Sequence, residues 1–194
     1  MSQFSLYFEL GLDHILDMAG FDHIVFIVIL CAIYLVREWA KILVLVTAFT
    51  IGHSVTLALA TMKIITIDTG LVEFLIPVTI FITALINLFR TERSLQRKDV
   101  RSNYFLALFF GLVHGLGFSN NLRALLGKEE NIITQLLAFN LGIELGQIII
   151  VVCFMLCSFI FVDLLNMTRR DWKMVISSGG AGIALMLILE NKIW

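Results

Sequence analysis

The chain has 194 residues, 59% of them hydrophobic and only 15% charged, with a formal net charge of −1. A water-soluble domain of this size carries about 25% charged residues, and a nearly neutral chain offers no electrostatic footprint for nucleic acid. The composition argues against an ordinary soluble enzyme and points to an all-α membrane protein, a single transmembrane domain over residues 1–194.

The first element expected is a short amphipathic helix over about residues 4–18. The first twenty residues contain no Lys or Arg, so a cleavable signal peptide is not expected. Six apolar runs follow, at 21–36, 41–62, 71–90, 103–119, 132–162 and 172–190, and each is taken as a transmembrane span. The fifth far exceeds the ~20 residues needed to cross, so it begins above the bilayer or tilts strongly. Pro77 falls inside the third span and removes the amide that would bond the carbonyl of Glu73. It either frees that oxygen near a site or simply kinks the helix.

Loop charges set the orientation. Arg37 and Lys41, then Arg90, Arg93, Arg97, Lys98 and Arg101, then Arg169, Arg170 and Lys173 occupy alternate loops and make up ten of the 14 basic residues. Only Lys63, Arg123, Lys128 and Lys192 fall on the other side. The positive-inside rule then puts the ten residues in the cytoplasm and both termini outside, with six spans between.

Against this apolar background the ionisable groups stand out. All four histidines, His14, His23, His53 and His114, lie in or beside apolar runs, together with Asp22, Glu73 and Glu144. A charged group at the bilayer centre costs roughly 2.5–3.5 kcal/mol on insertion scales, so such groups have partners or tasks. With the orientation above, all seven project into the outer half of the membrane. Helical phase supports convergence: Thr47, Thr50, His53, Ser54 and Thr61 share a sector of about 120°. Asn140, Glu144 and Gln147 share about 60°, and Glu73, Thr83 and Asn87 about 80°. Gly111, Gly115 and Gly117 surround His114, and Gly142 with Gly146 forms a GxxxG, both suited to close helix packing.

Imidazole and carboxylate together are the ligand set of a borderline divalent metal, with Ni, Zn, Co, Fe and Cu all compatible. In Asp22-His23 the carboxylate can serve as ligand or orient the ring beside it. Any one of these groups could instead be a packing polar side chain bonded to a neighbouring helix. Cys31, Cys153 and Cys157 lie in apolar runs and form no disulfide framework. Cys153 and Cys157 could hold a soft ion, but small apolar filler is the better reading.

Four stretches carry a resemblance: HILDMAGFDHIVF (His14–Phe26), TAFTIGHSVTLALA (Thr47–Ala60), FGLVHGLGFSNNL (Phe110–Leu122) and FNLGIELGQ (Phe139–Gln147). In order and spacing the chain resembles the HupE/UreJ family of hydrogenase and urease accessory membrane proteins. The resemblance implies nickel, or cobalt, as the ion handled. The family's first-helix motif, a His followed by Asp-His, maps onto His14, Asp22 and His23. Seven residues separate His14 from Asp22 where five are expected.

Three functions are compatible with these residues. The first is a secondary permease for a divalent transition metal, foremost nickel, with the ion as substrate and lipid as surroundings. The second is a membrane-embedded metalloenzyme of the zinc-hydrolase kind, with its site near the outer face. The third is a metal sensor or storage partner. The ligands expected are His14, Asp22, His23, His53, Glu73, His114 and Glu144.

Overall fold

The computed structural model describes residues 2–18, 20–91, 101–126 and 132–192. Among these residues it is built from helices, with no strand. The elements are α1 (Gln3–Leu16), α2 (Asp22–Cys31), α3 (Trp39–Thr61, entered through a 3-10 turn at Val36–Glu38), α4 (Thr69–Phe89), α5 (Arg101–Gly117), α6 (Ser119–Leu126), α7 (Ile132–Ser158, ending in a π turn at Phe159–Leu164) and α8 (Arg169–Glu190). Side-chain caps mark three helix starts. Ser2, Asp68 and Thr168 accept from the backbone amides of Ser5, Leu71 and Asp171.

Four of these helices, α3, α4, α7 and α8, are long and apolar enough to cross a membrane. They turn large apolar side chains outward, among them Val44, Ile51 and Val55 of α3 and Leu137, Leu141, Leu145 and Leu156 of α7. An outer surface of that kind suits lipid rather than water. Cys153 and Cys157 sit on the exposed side of α7, and Cys31 is buried among apolar residues.

The remaining apolar helices are shorter than the six-span pattern suggests. The run expected at 21–36 is helical only to Cys31, a helix of 10 residues or about 15 Å. Ala32, Ile33 and Tyr34 leave the helix yet stay buried. Their neighbourhood makes this possible. Asn87 of α4 donates to the Ile29 carbonyl at 2.7 Å, and Arg169 donates to the Ile33 carbonyl at 2.5 Å. The Glu38 carboxylate accepts the Leu35 amide at 3.3 Å. Non-helical backbone away from water persists only where protein groups satisfy it in this way. The fourth run is helical over Arg101–Gly117, then turns at Phe118 into α6.

The N-terminal helix differs most from expectation. It forms over Gln3–Leu16, close to the expected range, but buries the face of Tyr7, Gly11 and Ile15 by packing lengthwise on α7, which the sequence did not anticipate. Gly11 lies against Phe139, Leu12 against Gly142 and Ile15 against Gly146, so the two helices run parallel. A Cβ at Gly11 or Gly142 would overlap a backbone carbonyl oxygen of the other helix. The α3–α5 contact is made the same way. Gly111 sits on the Phe49 carbonyl and Gly115 on that of His53, and the pairs again advance together.

Basic residues from separate loops meet at one end of the bundle. Glu38 binds Lys41 at 2.6 Å and Arg169 at 2.8 Å, and Lys173 donates to the Arg90 carbonyl at 2.6 Å. Arg93, Arg97, Lys98 and Lys128, used above for orientation, lie outside the described residues.

Candidate metal centre

Four elements deliver the histidines to one place. His14 comes from the last turn of α1, His23 from the first turn of α2, His53 from the middle of α3 and His114 from the last turn of α5. The break between α1 and α2 sets the His14 and His23 ring centroids 4.7 Å apart. His53 lies 6.0 Å from His14 and 6.1 Å from His23, and His114 lies 5.2 Å from His23. Close α3–α5 packing through Gly111 and Gly115 sets the backbones that carry His53 and His114 against one another.

The nitrogens carry the chemistry. One ring nitrogen each of His14, His23 and His53 can be chosen so that all three lie within 4.8 Å of one another. Tetrahedral ligands about 2.05 Å from a metal stand about 3.3 Å apart, so these rings close on an ion with an ångström-scale adjustment. In His114, Nδ1 donates to the Phe110 carbonyl at 2.8 Å. In His23, Nδ1 faces Asp22 Oδ1 at 3.0 Å, and the same oxygen accepts the His23 amide at 2.9 Å. Both contacts fix the proton on Nδ1 and leave Nε2 with a free lone pair, the tautomer a metal requires.

That lone pair has no partner. Nε2 of His14, His23, His53 and His114 is buried and unbonded, and so is Nδ1 of His53. His53 is wholly buried and His114 is 1% exposed. Aromatic rings close around them: Phe118 sits 4.1 Å from His14, Phe139 stacks on Phe118 at 5.2 Å, and Phe26 and Phe49 pack on His114 at 5.3 and 5.2 Å. A dry wall strengthens any interaction between the imidazoles and a cation.

Two of the seven expected residues stand apart from the rings. Glu73 is exposed on α4, in an open pocket shared with Gly20, Phe21, Asp22, Pro77 and Asn191. The polar stripe expected on this helix is therefore divided: Asn87 is buried and bonded to Ile29, while Glu73 faces outward. Glu144 accepts the Thr47 hydroxyl at 2.9 Å across the α3–α7 contact. The pocket beside Glu73 reaches Asp22, and a second opening beside Asp13 and Asp17 reaches His14 and Phe118.

Sequence reasoning missed the second opening and the aromatic wall. Asp13 and Asp17 flank His14 in the chain, a signal that could have placed them. Nothing in the spacing of Phe26, Phe49, Phe118 and Phe139 distinguishes them from ordinary core. What the site can do is bind a borderline divalent cation through neutral nitrogens, with one carboxylate behind them.

No curated protein and no solved structure matches the chain. A family model described as HupE / UreJ protein matches residues 1–191. Four imidazoles from four helices thus stand in a chain that belongs, over essentially its whole length, to the HupE/UreJ family.

Proposed function

We propose that this protein is a permease that carries a divalent transition-metal ion, nickel foremost, across a bacterial inner membrane. The observation that supports this most is the set of four buried Nε2 atoms without partners. A buried polar atom left unbonded costs about 1–3 kcal/mol, and four in one place call for a ligand. The ion is captured by His14, His23, His53 and His114. Asp22 holds the His23 ring, and Glu73 with Asp22 lines the approach.

Six crossings with both termini outside remain the topology that suits the loop charges. The short α2 completes its crossing through the buried segment that leads to Glu38. Neutral imidazole binds metal and protonated imidazole does not, so protons compete with the ion and lower pH weakens capture. His14, His23 and His53 offer three nitrogens within 4.8 Å of one another, the protein-ligand count of a hydrolytic zinc site with one position left for water. The preference for carriage therefore rests on the family and not on the ligand count.

The decisive measurement is Ni²⁺ uptake by sealed liposomes that contain the purified protein. Uptake that saturates, and that falls when His53 is replaced by Ala, is expected. Binding without any uptake, under every imposed pH gradient, overturns the proposal.

A further inference from the structure

Toward the Glu38 end from the imidazoles, α3 and α7 are joined by a second set of polar side chains. Thr47 donates to Glu144 Oε1 at 2.9 Å, and Thr50 donates to Gln147 Oε1 at 2.7 Å. Gln147 is completely buried, yet its Nε2 has no partner. Asn140 Oδ1, one turn before Glu144, is also buried and unbonded. One turn beyond Thr50, His53 has two unpartnered nitrogens where a metal takes only one. Thr47, Thr50 and His53 succeed one another in three-residue steps, about 4.5 Å of rise each. A polar stripe therefore extends about 9 Å from the rings, as far as Thr47.

A core position that served packing alone would carry leucine rather than an unsatisfied amide. The amide of Gln147 also has a useful alternative. A half-turn about Cγ–Cδ lets Nε2 donate to the Thr50 hydroxyl, which itself donates to the Val46 carbonyl at 3.2 Å. That turn releases Oε1 from the Thr50 hydroxyl and leaves it free to accept. The group then offers one carboxylate, two hydroxyls and one amide carbonyl, a set of oxygen donors suited to hard cations and weaker than imidazole for a borderline metal.

We propose that Thr47, Thr50, Glu144 and Gln147 form a second, oxygen-lined cation station, which receives the ion from His53. The proposal rests on the transport function above. Its physical sense is release: an ion held by imidazole nitrogens leaves more readily where a weaker site stands next to it. Glu144 thus acts as a ligand of the second station and not of the first.

The test is an equilibrium one and does not depend on transport. Purified protein in detergent is loaded with Zn²⁺ to fill the imidazoles, then titrated with Mn²⁺, and bound Mn²⁺ is counted by electron paramagnetic resonance. The intact protein is expected to hold one Mn²⁺ that Glu144→Gln loses, with affinity lowered at least about tenfold. Thr47→Val, nearly isosteric, weakens it less. Gln at 144 still accepts the Thr47 hydroxyl, so the fold survives, and unchanged Zn²⁺ stoichiometry checks this. Equal Mn²⁺ affinity in the intact protein and Glu144→Gln overturns the proposal. So does a loss of Zn²⁺ affinity in Glu144→Gln, which would place the carboxylate in the first site. Liposomes that take up no Ni²⁺ while the Mn²⁺ difference persists would remove the transport function and leave the station standing.

Discussion

The two polar regions of this bundle are built on opposite terms. At the Glu38 end, charged groups close on one another and on the backbone. Glu38 holds Lys41, Arg169 and the Leu35 amide, Asn103 donates to the Tyr34 hydroxyl at 2.6 Å and accepts from Arg90, and Lys173 caps the Arg90 carbonyl. At the other region four imidazoles stand together, and each keeps an unbonded Nε2. The first network is largely satisfied, with Arg169 Nε its unbonded buried atom, whereas several buried groups left unsatisfied together mark where something else completes them. The first region exists to hold broken backbone in an apolar setting. The second is left for the proposed ion to complete.

The largest effects should separate the two. Replacing His53 with Leu keeps the volume of a fully buried ring and strands no hydrogen-bond partner, so unfolding in detergent should change by no more than about 1.5 kcal/mol. Metal affinity, followed by Co²⁺ absorption, should fall about 100-fold or more. Replacing Asn103 with Leu should do the reverse. It strands the Tyr34 hydroxyl and Arg90, costs about 1–3 kcal/mol of stability and leaves the Co²⁺ titration unchanged. A His53 variant that unfolds while its Co²⁺ titration is preserved would undo the contrast.

Asp22 sharpens it at smaller scale, because this residue belongs to the metal region without needing to touch the ion. Asn at 22 still accepts the His23 amide but loses the charge that supports the ring. Affinity should drop about 10- to 100-fold with the imidazole absorption retained, the mark of an orienting partner. A changed absorption band would instead make Asp22 a direct ligand.

Much of this was legible in the sequence, and the reasons are particular. The apolar runs disclosed the helical membrane class because lipid forbids other spanning structures of this kind. The histidines pointed to one candidate site because four rings in apolar surroundings have few innocent explanations, and the fold does gather the four rings. The glycines at 111, 115, 142 and 146 disclosed close helix contacts. The packing of α1 on α7 was hidden, since one glycine at position 11 is a weak signal without its partner. Helical phase assigned Glu73 inward because it treats a helix as uniformly surrounded, whereas the outer turns of α4 are open beside Asp22. The early end of α2 was hidden too. It depends on Asn87 and Arg169, which are distant in the chain and adjacent only after folding.

The smallest expected effect lies at Glu38, and its smallness is informative. The carboxylate meets two cations, but its side chain is 18% exposed and those of Lys41 and Arg169 are 31% and 26% exposed, so solvent screens both pairs. Glu38→Gln should therefore cost only about 0.5–1 kcal/mol in thermal unfolding at low salt. The difference should shrink in 1 M salt, where the screening length is about 3 Å. Gln keeps an oxygen for the Leu35 amide, so the backbone after α2 stays in place and Ni²⁺ affinity should not move. A fall in Ni²⁺ affinity would mean that the clamp on this segment reaches the rings through the ten residues of α2. The two regions would then be one mechanical unit rather than a fixed end and an open one.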